Sequence, residues 1–297
     1  MDDKLTIGIP KGSLQEKTLA LFAGTGLSFY GLDRSLWLGS NDSEVQAVLL
    51  KPQEIPLYVQ KGNLDCGLSG LDWIEETVGK DAVRVMADLC YSKRSFRPVR
   101  WVLAVAESSP WKTVEDLKHI TPPVRISTEL RNITENWLAE RGIRAEVDLS
   151  YGATEAKPPL FADGIVDCTE TGASLRANRL RILDTVFQST TQFIANRDIC
   201  KKNGWKRTKL DSIALLLKSC LIANSNVSMR IQTLGSEAEI VEALIPSDAR
   251  FSVWNGQHDD VLFEIIMDQG KARKLVPVFA RNGAIRISVS PIDMLYG

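Results

Sequence analysis

Short apolar runs that alternate with helix-like stretches constrain the fold of this chain more than any other feature. The runs have the length and composition of buried strands and lie at residues 5–9, 44–50, 64–68, 83–88 and 101–106. Helix-like stretches such as 13–22 and 72–77 lie between them. Because strands that alternate with helices build sheets covered by helices, the pattern predicts an α/β fold.

The length of 297 residues is enough for two or three domains. Two short links, near Ser92 and Asp184, bracket the middle of the chain, which predicts a discontinuous first domain, 1–93 with 185–224, and an inserted second domain, 94–184. Two lobes with a cleft between them would result. A single continuous sheet is the alternative, since periodicity alone does not exclude it.

The C-terminal part, residues 225–297, has a pattern of its own. Strand and helix signals follow one another in the order βαββαβ, at residues 227–233, 236–244, 251–254, 262–267, 271–282 and 285–289. Ser236 with Glu239 three residues later is typical of a helix capping box. The order predicts a ferredoxin-like domain, which is common among regulatory modules.

Composition restricts the classes of partner. The 36 Lys and Arg residues against 37 Asp and Glu residues give a net charge of −1, so no overall field attracts nucleic acid. No uncharged apolar run approaches the ~18 residues of a membrane span. Five cysteines lie far apart without a Cys-x-x-Cys pair, which argues against a disulfide framework or a zinc site. We therefore expect a cytoplasmic protein without nucleic-acid or membrane partners.

The segment TETGAS, residues 169–174, is the most informative motif. It follows the apolar run 164–167 and precedes a helix-like stretch. Unpaired backbone amides and the positive end of a helix dipole favour a phosphate at such a turn. Asp167 and Glu170 would suit ribose hydroxyls, which need acceptors, so the motif indicates a phosphorylated sugar. An ordinary strand-to-helix turn with Ser or Thr capping fits the same letters.

Two further loops end apolar strands. Lys11, Gly12 and Ser13 join an ammonium group to free amides, which favours a second anion or a triphosphate. Ser69 and Gly70 end another strand, with Asp72 placed to cap the next helix, and favour close approach of a ligand to the backbone. Loop and turn formation is the alternative in both cases.

Charged residues supply the remaining candidates. Arg94, Arg97 and Arg100 precede an apolar strand, where guanidinium groups could clamp a pyrophosphate, although a solvated basic loop has the same composition. Glu155 could reach a sugar hydroxyl or a metal-bound water, since Mg²⁺ usually takes one or two carboxylates and substrate oxygens. A glutamate favoured by a helix dipole is the alternative for Glu155.

Taken together, these segments resemble the long form of ATP phosphoribosyltransferase, the first enzyme of histidine biosynthesis, over nearly the whole chain. The matching motifs occur in the family's order: IPKGSL at 9–14, LSGLDWI at 68–74, RPVRWVLA at 97–104, GATEAKPP at 152–159 and TETGASLRAN at 169–178.

The resemblance implies transfer of phosphoribosyl from phosphoribosyl pyrophosphate to N1 of the adenine of ATP, with release of pyrophosphate and a requirement for Mg²⁺. It assigns the 5′-phosphate to Thr171, Gly172, Ala173 and Ser174. The ribose hydroxyls fall to Asp167 and Glu155, which would also hold the metal through water or substrate. Lys11 and Arg100 would bind phosphate or pyrophosphate.

The same resemblance implies a two-lobed catalytic part like the periplasmic binding proteins. Its C-terminal regulatory domain would bind histidine as a feedback inhibitor in a homo-oligomer, a dimer or hexamer, without a separate regulatory subunit. The histidine site is expected in the loop before the last strand, at Asn282, Gly283, Ala284 and Ile285.

One departure from the family and two competing interpretations remain. Arg179 stands where the family usually has glycine. A phosphoribosyltransferase of the other common architecture would carry paired acids after the strand, but Cys168 follows Asp167. A solute-binding or effector-sensing protein would need an export signal or a DNA-binding helix-turn-helix, and neither is visible.

Overall fold

The computed structural model describes residues 4–31, 35–91, 98–202, 204–256 and 259–296. They divide into two compact units, Met1–Ala214 and Leu215–Gly297. The division falls inside a long helix, Trp205–Ala223. Among the described residues, no helix combines the length and apolar character that crossing a bilayer requires.

The described part of the first unit contains twelve strands, six helices and the start of a seventh helix. The strands are β1 Leu5–Pro10, β2 Phe29–Tyr30, β3 Trp37–Ser40, β4 Val45–Leu50, β5 Cys66–Gly70, β6 Arg84–Leu89, β7 Val99–Ala106, β8 Val124–Thr128, β9 Ala145–Leu149, β10 Gly164–Thr169, β11 Leu180–Ser189 and β12 Thr191–Ala195. The helices are α1 Gln15–Gly24, α2 Ile55–Gln60, α3 Leu71–Thr77, α4 Arg131–Glu140, α5 Ala173–Ala177, α6 Arg197–Lys201 and α7 Trp205–Ala223.

The strands of this unit form two mixed sheets. The first has the order β2-β3-β4-β1-β5-β12-β6 and the second the order β11-β7-β10-β8-β9. The chain leaves the first sheet after β6 and rejoins it at β12, which runs antiparallel to β5 and β6. In the second sheet β10 is parallel to β8, so their carboxyl ends share one edge. The predicted α/β class is confirmed.

Buried apolar strands explain why these segments form sheets. Leu5, Ile7 and Ile9 of β1 are fully buried, and so are Val102 and Leu103 of β7. Near-continuous burial, rather than alternation, is typical of strands covered on both faces. Each such side chain stabilises the fold by roughly 1.5–3 kcal/mol, which fixes the strand ends that carry the polar loops.

Strand β11 corrects one sequence-based prediction. The link predicted near Asp184 is wrong, because Asp184 lies inside β11, which pairs antiparallel with β7. The pairing has register shifts between Ile182 and Asp184 and between Thr185 and Phe187. Such irregularities disturb the period of two from which a strand is recognised. The link predicted near Ser92 lies outside the described residues.

The second unit has the ferredoxin-like arrangement. After the end of α7 it contains β13 Asn226–Leu234, α8 Ala238–Ala243, β14 Arg250–Asn255, β15 Asp260–Asp268, α9 Gln269–Arg281 and β16 Ala284–Pro291. The four strands are antiparallel in the order β14-β15-β13-β16. Met229, Ile231, Phe263 and Phe279 are fully buried in its core. The predicted βαββαβ order is confirmed.

The capping box predicted at Ser236 and Glu239 is wrong. A 3₁₀ turn occupies Gly235–Glu237, and α8 starts after it with Glu237 at the N-cap and no side-chain capping bond. Helix α9, in contrast, has a side-chain capping bond: the Asp268 side chain accepts a hydrogen bond from the Lys271 amide at 2.9 Å. Because Ser236 lies inside the 3₁₀ turn, it is not at the N-cap of α8 and its hydroxyl does not cap that helix.

Candidate functional site

A cleft of about 510 Å³ lies within the first unit, at the ends of strands from both sheets. Residues from the first sheet and its loops that line it include Ser13, Gly70 and Thr191. Residues from the second sheet include Trp101, Asp167 and Thr171. Of the predicted phosphate loop, residues 170–174, all but Gly172 line this cleft: Glu170, Thr171, Ala173 and Ser174.

The predicted phosphate loop is a tight turn between β10 and α5. The Gly172 amide donates a hydrogen bond to Thr169 Oγ1 at 2.8 Å. Gly172 has φ 73°, a left-handed conformation that glycine adopts without a steric penalty. A Cβ at this position would also lie 2.9 Å from a guanidinium nitrogen of Arg176. Helix α5 starts directly after this glycine, and the amides of a first helical turn have no acceptor within the helix.

A second loop of the resemblance, around Glu155, meets the phosphate loop. Ser174 Oγ donates a short hydrogen bond to Glu155 Oε1. Glu155 lies in a 3₁₀ turn, Thr154–Ala156, which follows Ala153 in a left-handed conformation with φ 48°. Lys157 Nζ donates hydrogen bonds of 2.8 Å to the hydroxyls of Ser127 and Ser150. The lysine thereby ties the Glu155 loop to neighbouring strands, which places Glu155 next to the phosphate loop although it does not line the cleft itself.

Asp167 is a half-buried carboxylate at the end of β10. It accepts a hydrogen bond from the Cys168 amide at 2.8 Å. Burial above all, together with the carboxylates of Glu155 and Glu129, raises the pKa of Asp167 to about 7 against the effect of that hydrogen bond. No cation among the described residues forms an ion pair with Asp167. A ligand that donates hydrogen bonds or carries positive charge would therefore be favoured here.

The carboxylates fit Mg²⁺ only together with a substrate. In the described part of the chain, no group of three or more His, Cys, Asp or Glu residues is arranged to hold a metal ion. Asp167 and Glu155 supply two oxygen-bearing groups whose mutual repulsion a divalent cation would relieve. Mg²⁺ bound by one or two carboxylates and completed by phosphate oxygens and water matches this set of donors.

Asp72 has a different role from the predicted helix cap, and that prediction is wrong. The N-cap of α3 is Gly70, without a side-chain capping bond. Asp72 is buried, and its Oδ2 accepts a hydrogen bond from Trp101 Nε1 at 2.6 Å. The rings of Trp73 and Trp101 meet edge to face at 6.1 Å. Burial raises the pKa of Asp72, although the hydrogen bond from Trp101 opposes this change. Asp72 thus joins α3, beside the first sheet, to β7 of the second sheet, a contact that an acidic residue in a first helical turn does not signal.

Contacts within the protein account for the presence of Gly70 and Ser69 at the end of β5. A Cβ at Gly70 would overlap the Asp72 carboxylate, so the glycine makes room for that side chain. Ser69 is fully buried, and its hydroxyl donates a hydrogen bond to the Pro52 carbonyl at 2.7 Å. Gly70 lines the cleft, whereas the structure does not bring the Ser69 hydroxyl into it.

Of the first loop, Ser13 lines the cleft and Lys11 and Gly12 do not. The Lys11 side chain is exposed, and its amide donates a hydrogen bond to the Leu50 carbonyl at 2.7 Å. Gly12 has φ 113°, which only glycine adopts readily. The turn that Gly12 permits is what brings Ser13 to the cleft.

Arg100 does not line the cleft, although its neighbours Val99 and Trp101 do. All three lie on β7, where successive side chains point to opposite faces. Alternation therefore turns Arg100 away from the face that Val99 and Trp101 present. Arg94 and Arg97 lie outside the described residues.

The four residues predicted to bind histidine lie at the end of α9 and the start of β16. Asn282 is the C-cap, and its side-chain amide donates a hydrogen bond to the Val278 carbonyl at 2.8 Å. Gly283 has φ 91°, and its carbonyl accepts a hydrogen bond from Thr233 Oγ1 at 2.7 Å. Ala284 starts β16, and Ile285 is exposed. The end of α9 accounts for an asparagine and a glycine at positions 282 and 283. Their role in binding histidine stays a prediction.

Comparisons with known proteins agree on one family. The family model "HisG: ATP phosphoribosyltransferase" matches residues 51–219, more than half of the chain. A protein named ATP phosphoribosyltransferase from Chlorobium luteolum is 48% identical over 98% of this chain and 97% of its own length. One from Thermodesulfovibrio yellowstonii is 45% identical over 99% of both chains.

A solved structure is similar to most of the chain. It is described as the ATP phosphoribosyl transferase (HisG:HisZ) complex from Thermotoga maritima. The match has a TM-score of 0.60 and 25% sequence identity, and it covers 72% of this chain and 98% of that one. The present chain therefore has residues beyond those that the matched chain contains.

Proposed function

The chain belongs to the ATP phosphoribosyltransferase family, and on that premise we propose that it transfers phosphoribosyl from phosphoribosyl pyrophosphate to N1 of the adenine of ATP. The bond between C1′ and the pyrophosphate oxygen breaks with its electron pair on pyrophosphate, and the N1 lone pair forms the new bond to C1′. The observation that carries the proposal is the cleft lined by the phosphate loop and Asp167. The Glu155 loop lies beside it, hydrogen-bonded to Ser174 of the phosphate loop.

The sugar ester is the substrate that the second sheet would hold. Its 5′-phosphate accepts hydrogen bonds from the loop Thr171, Gly172, Ala173 and Ser174. Its ribose hydroxyls donate to carboxylates, for which Asp167 and Glu155 are the proposed acceptors. Support comes from the preformed turn at Gly172 and from the absence of a paired cation on Asp167 among the described residues. Preorganised groups of this kind stabilise a transition state because they need little rearrangement.

Charge separation in the reaction sets the demands on the other groups. Cleavage leaves positive charge on the sugar and negative charge on pyrophosphate, so a half-buried carboxylate beside the sugar and cations beside the leaving group lower the barrier. Mg²⁺ supplies Lewis-acid stabilisation of the pyrophosphate, and Asp167 and Glu155 are the residues that would hold it, directly or through water. Lys11 and Ser13 lie on the loop at which we place the second anionic substrate, ATP. Arg100 stays the proposed ligand of phosphate or pyrophosphate, although it does not line the cleft.

The ferredoxin-like unit is the proposed regulatory part. We assign to it the binding of histidine as feedback inhibitor, at or near residues 282–285, in a dimer or hexamer of identical chains. The Thermotoga maritima structure is a complex of two proteins, whereas the present chain carries about a quarter of its residues beyond that match. A regulatory unit inside the chain would make a separate regulatory subunit unnecessary.

The activity is tested with the purified full chain, ATP, phosphoribosyl pyrophosphate and Mg²⁺. We expect release of pyrophosphate that depends on all three additions, and inhibition of that release by histidine. Absence of pyrophosphate with a folded protein would contradict the proposed reaction. Release that histidine does not change would contradict only the regulatory part.

A further inference from the structure

Glu129 lines the cleft and has no role in the chemistry proposed so far. It directly follows β8, where Thr128 pairs with Val166 of the parallel strand β10. Continuing that register by one residue places Glu129 beside Asp167. Neighbouring strands lie about 4.8 Å apart, so the two carboxylates are within reach of one small ligand.

Glu129 differs from Asp167 and Glu155 in its hydrogen bonding. Glu155 already accepts a hydrogen bond from Ser174, and Asp167 accepts one from the Cys168 amide. Among the described residues, no donor and no ion-pair partner is bound to the half-buried Glu129 carboxylate. A partly buried polar group without a partner costs free energy, which a ligand with a donor would recover.

The charges around Glu129 fit a neutral donor better than a tightly bound anion or cation. Burial and Glu155 raise the pKa of Glu129, whereas Lys157 and Lys51 lower it. The two lysines partly offset its charge without forming an ion pair. A hydroxyl group can donate to such a carboxylate and adds no charge of its own.

We infer that Glu129 accepts a hydrogen bond from one ribose hydroxyl of the phosphoribosyl donor, beside Asp167, which accepts from the neighbouring hydroxyl. Two side-by-side carboxylates suit the adjacent 2′- and 3′-hydroxyls of a ribose whose phosphate lies on the loop 171–174. Glu155 then holds the phosphate loop through Ser174 as well as facing the sugar. The inference rests on the proposed function and specifies how that site would recognise its sugar.

The test measures recognition of single hydroxyls. Calorimetry gives the affinities of ribose 5-phosphate and of its 2-deoxy and 3-deoxy analogues, without Mg²⁺, for the wild type and for Glu129→Ala. We expect the wild type to bind one deoxy sugar about ten- to a hundredfold more weakly than ribose 5-phosphate, as loss of a hydrogen bond to a charged group predicts. In Glu129→Ala that discrimination should shrink to less than about threefold, while discrimination against the other deoxy sugar persists.

A change of discrimination cannot come from a merely structural effect, which would weaken all three sugars alike. Glu146→Ala is the matched control, because Glu146 is an exposed glutamate on β9 and does not line the cleft. It should bind the sugars as the wild type does. The inference is overturned if the wild type does not bind ribose 5-phosphate, binds the three sugars equally, or keeps its full discrimination after Glu129→Ala.

Turnover separates this inference from the proposed function. Glu129→Ala should raise KM for phosphoribosyl pyrophosphate about tenfold and leave KM for ATP within about twofold. A wild type that forms pyrophosphate while Glu129→Ala discriminates normally refutes the role of Glu129 alone. A wild type without turnover refutes the reaction whatever the sugar affinities are.

Discussion

At the scale of one residue, Arg179 has a strained backbone conformation. It has φ 55°, a left-handed conformation, and its carbonyl accepts a hydrogen bond from the Glu107 amide at 2.9 Å. A non-glycine residue in this conformation costs about 1–2 kcal/mol, which fits the glycine that the family resemblance predicts at this position. The side chain is exposed, so its bulk is accommodated in solvent.

We expect Arg179→Gly to raise the free energy of unfolding by about 0.5–1 kcal/mol. Relief of backbone strain exceeds the larger entropy that glycine gives the unfolded chain. Urea unfolding measures the change, and Arg176→Gly, inside α5, is the control that should lose roughly 1 kcal/mol. A less stable Arg179→Gly protein would contradict this account of the position.

Asp167 is the residue on which the proposed chemistry depends most. Asp167→Asn keeps the shape and removes the negative charge beside the sugar, so we expect kcat/KM to fall about 100-fold or more. Asp163→Asn is the matched control, because Asp163 bonds Arg125 at 2.9 Å and does not line the cleft. Circular dichroism of both variants should match that of the wild type. Near-normal turnover of Asp167→Asn would remove this carboxylate from the mechanism.

At the scale of elements, α3 is bound to β7 of the second sheet near its start and to helix α4 near its end. Asp72 accepts the indole hydrogen bond of Trp101, and the Glu76 carboxylate accepts hydrogen bonds from the Asn132 and Ile133 amides at 2.9 and 3.0 Å. The latter two amides belong to the first turn of α4, where a carboxylate is favoured. Helix α3 therefore fixes the second sheet relative to the first around the cleft.

The buried Asp72 should make stability depend on pH. Its pKa is raised in the folded state, so above about pH 4 the folded protein keeps a proton that the unfolded chain has released. Stability of the wild type then falls as the pH rises through this window, by at most about 1.4 kcal/mol per pH unit from this group. Asp72→Asn lacks the titration and can still accept from Trp101 through its amide oxygen.

We expect the unfolding free energy of Asp72→Asn, relative to the wild type, to increase between pH 4 and pH 7. Denaturant unfolding at several pH values measures the difference, in which titrations common to both proteins cancel. Parallel profiles of the two proteins would show that Asp72 is not the group responsible.

The elements also show what the letters of the sequence can and cannot tell. Buried strands such as β1 and β7 follow from apolar runs, and the phosphate loop follows from its glycine and hydroxyl residues. The Asp72–Trp101 contact links positions 29 residues apart in the chain and depends on how two sheets meet, which no local pattern encodes. Arg100 does not line the cleft, because proximity along the chain does not specify a strand face, and its role as a pyrophosphate ligand stays a prediction. The Lys157 contacts to Ser127 and Ser150 likewise required the folded chain.

At the scale of the whole molecule, the two compact units allow the proposed catalysis and the proposed regulation to be tested separately. We expect a chain that ends before Asn226 to lose inhibition by histidine, because β13–β16 and their helices are removed. Pyrophosphate release with and without histidine measures the effect. Size-exclusion chromatography of both proteins shows whether a change of assembly accompanies it. Full inhibition of the shortened chain would place the histidine site in the first unit.

The space shared by Gly70 and the Asp72 carboxylate limits how related sequences can diverge. A methyl group at position 70 would displace the Asp72 carboxylate from its place beside the Trp101 indole, so the order in which the two positions mutate matters. A lineage that gains alanine at position 70 while it keeps Asp72 disturbs the hydrogen bond between that carboxylate and the Trp101 indole. The two sites should therefore covary among descendants, and single exchanges at 70 should be purged by selection.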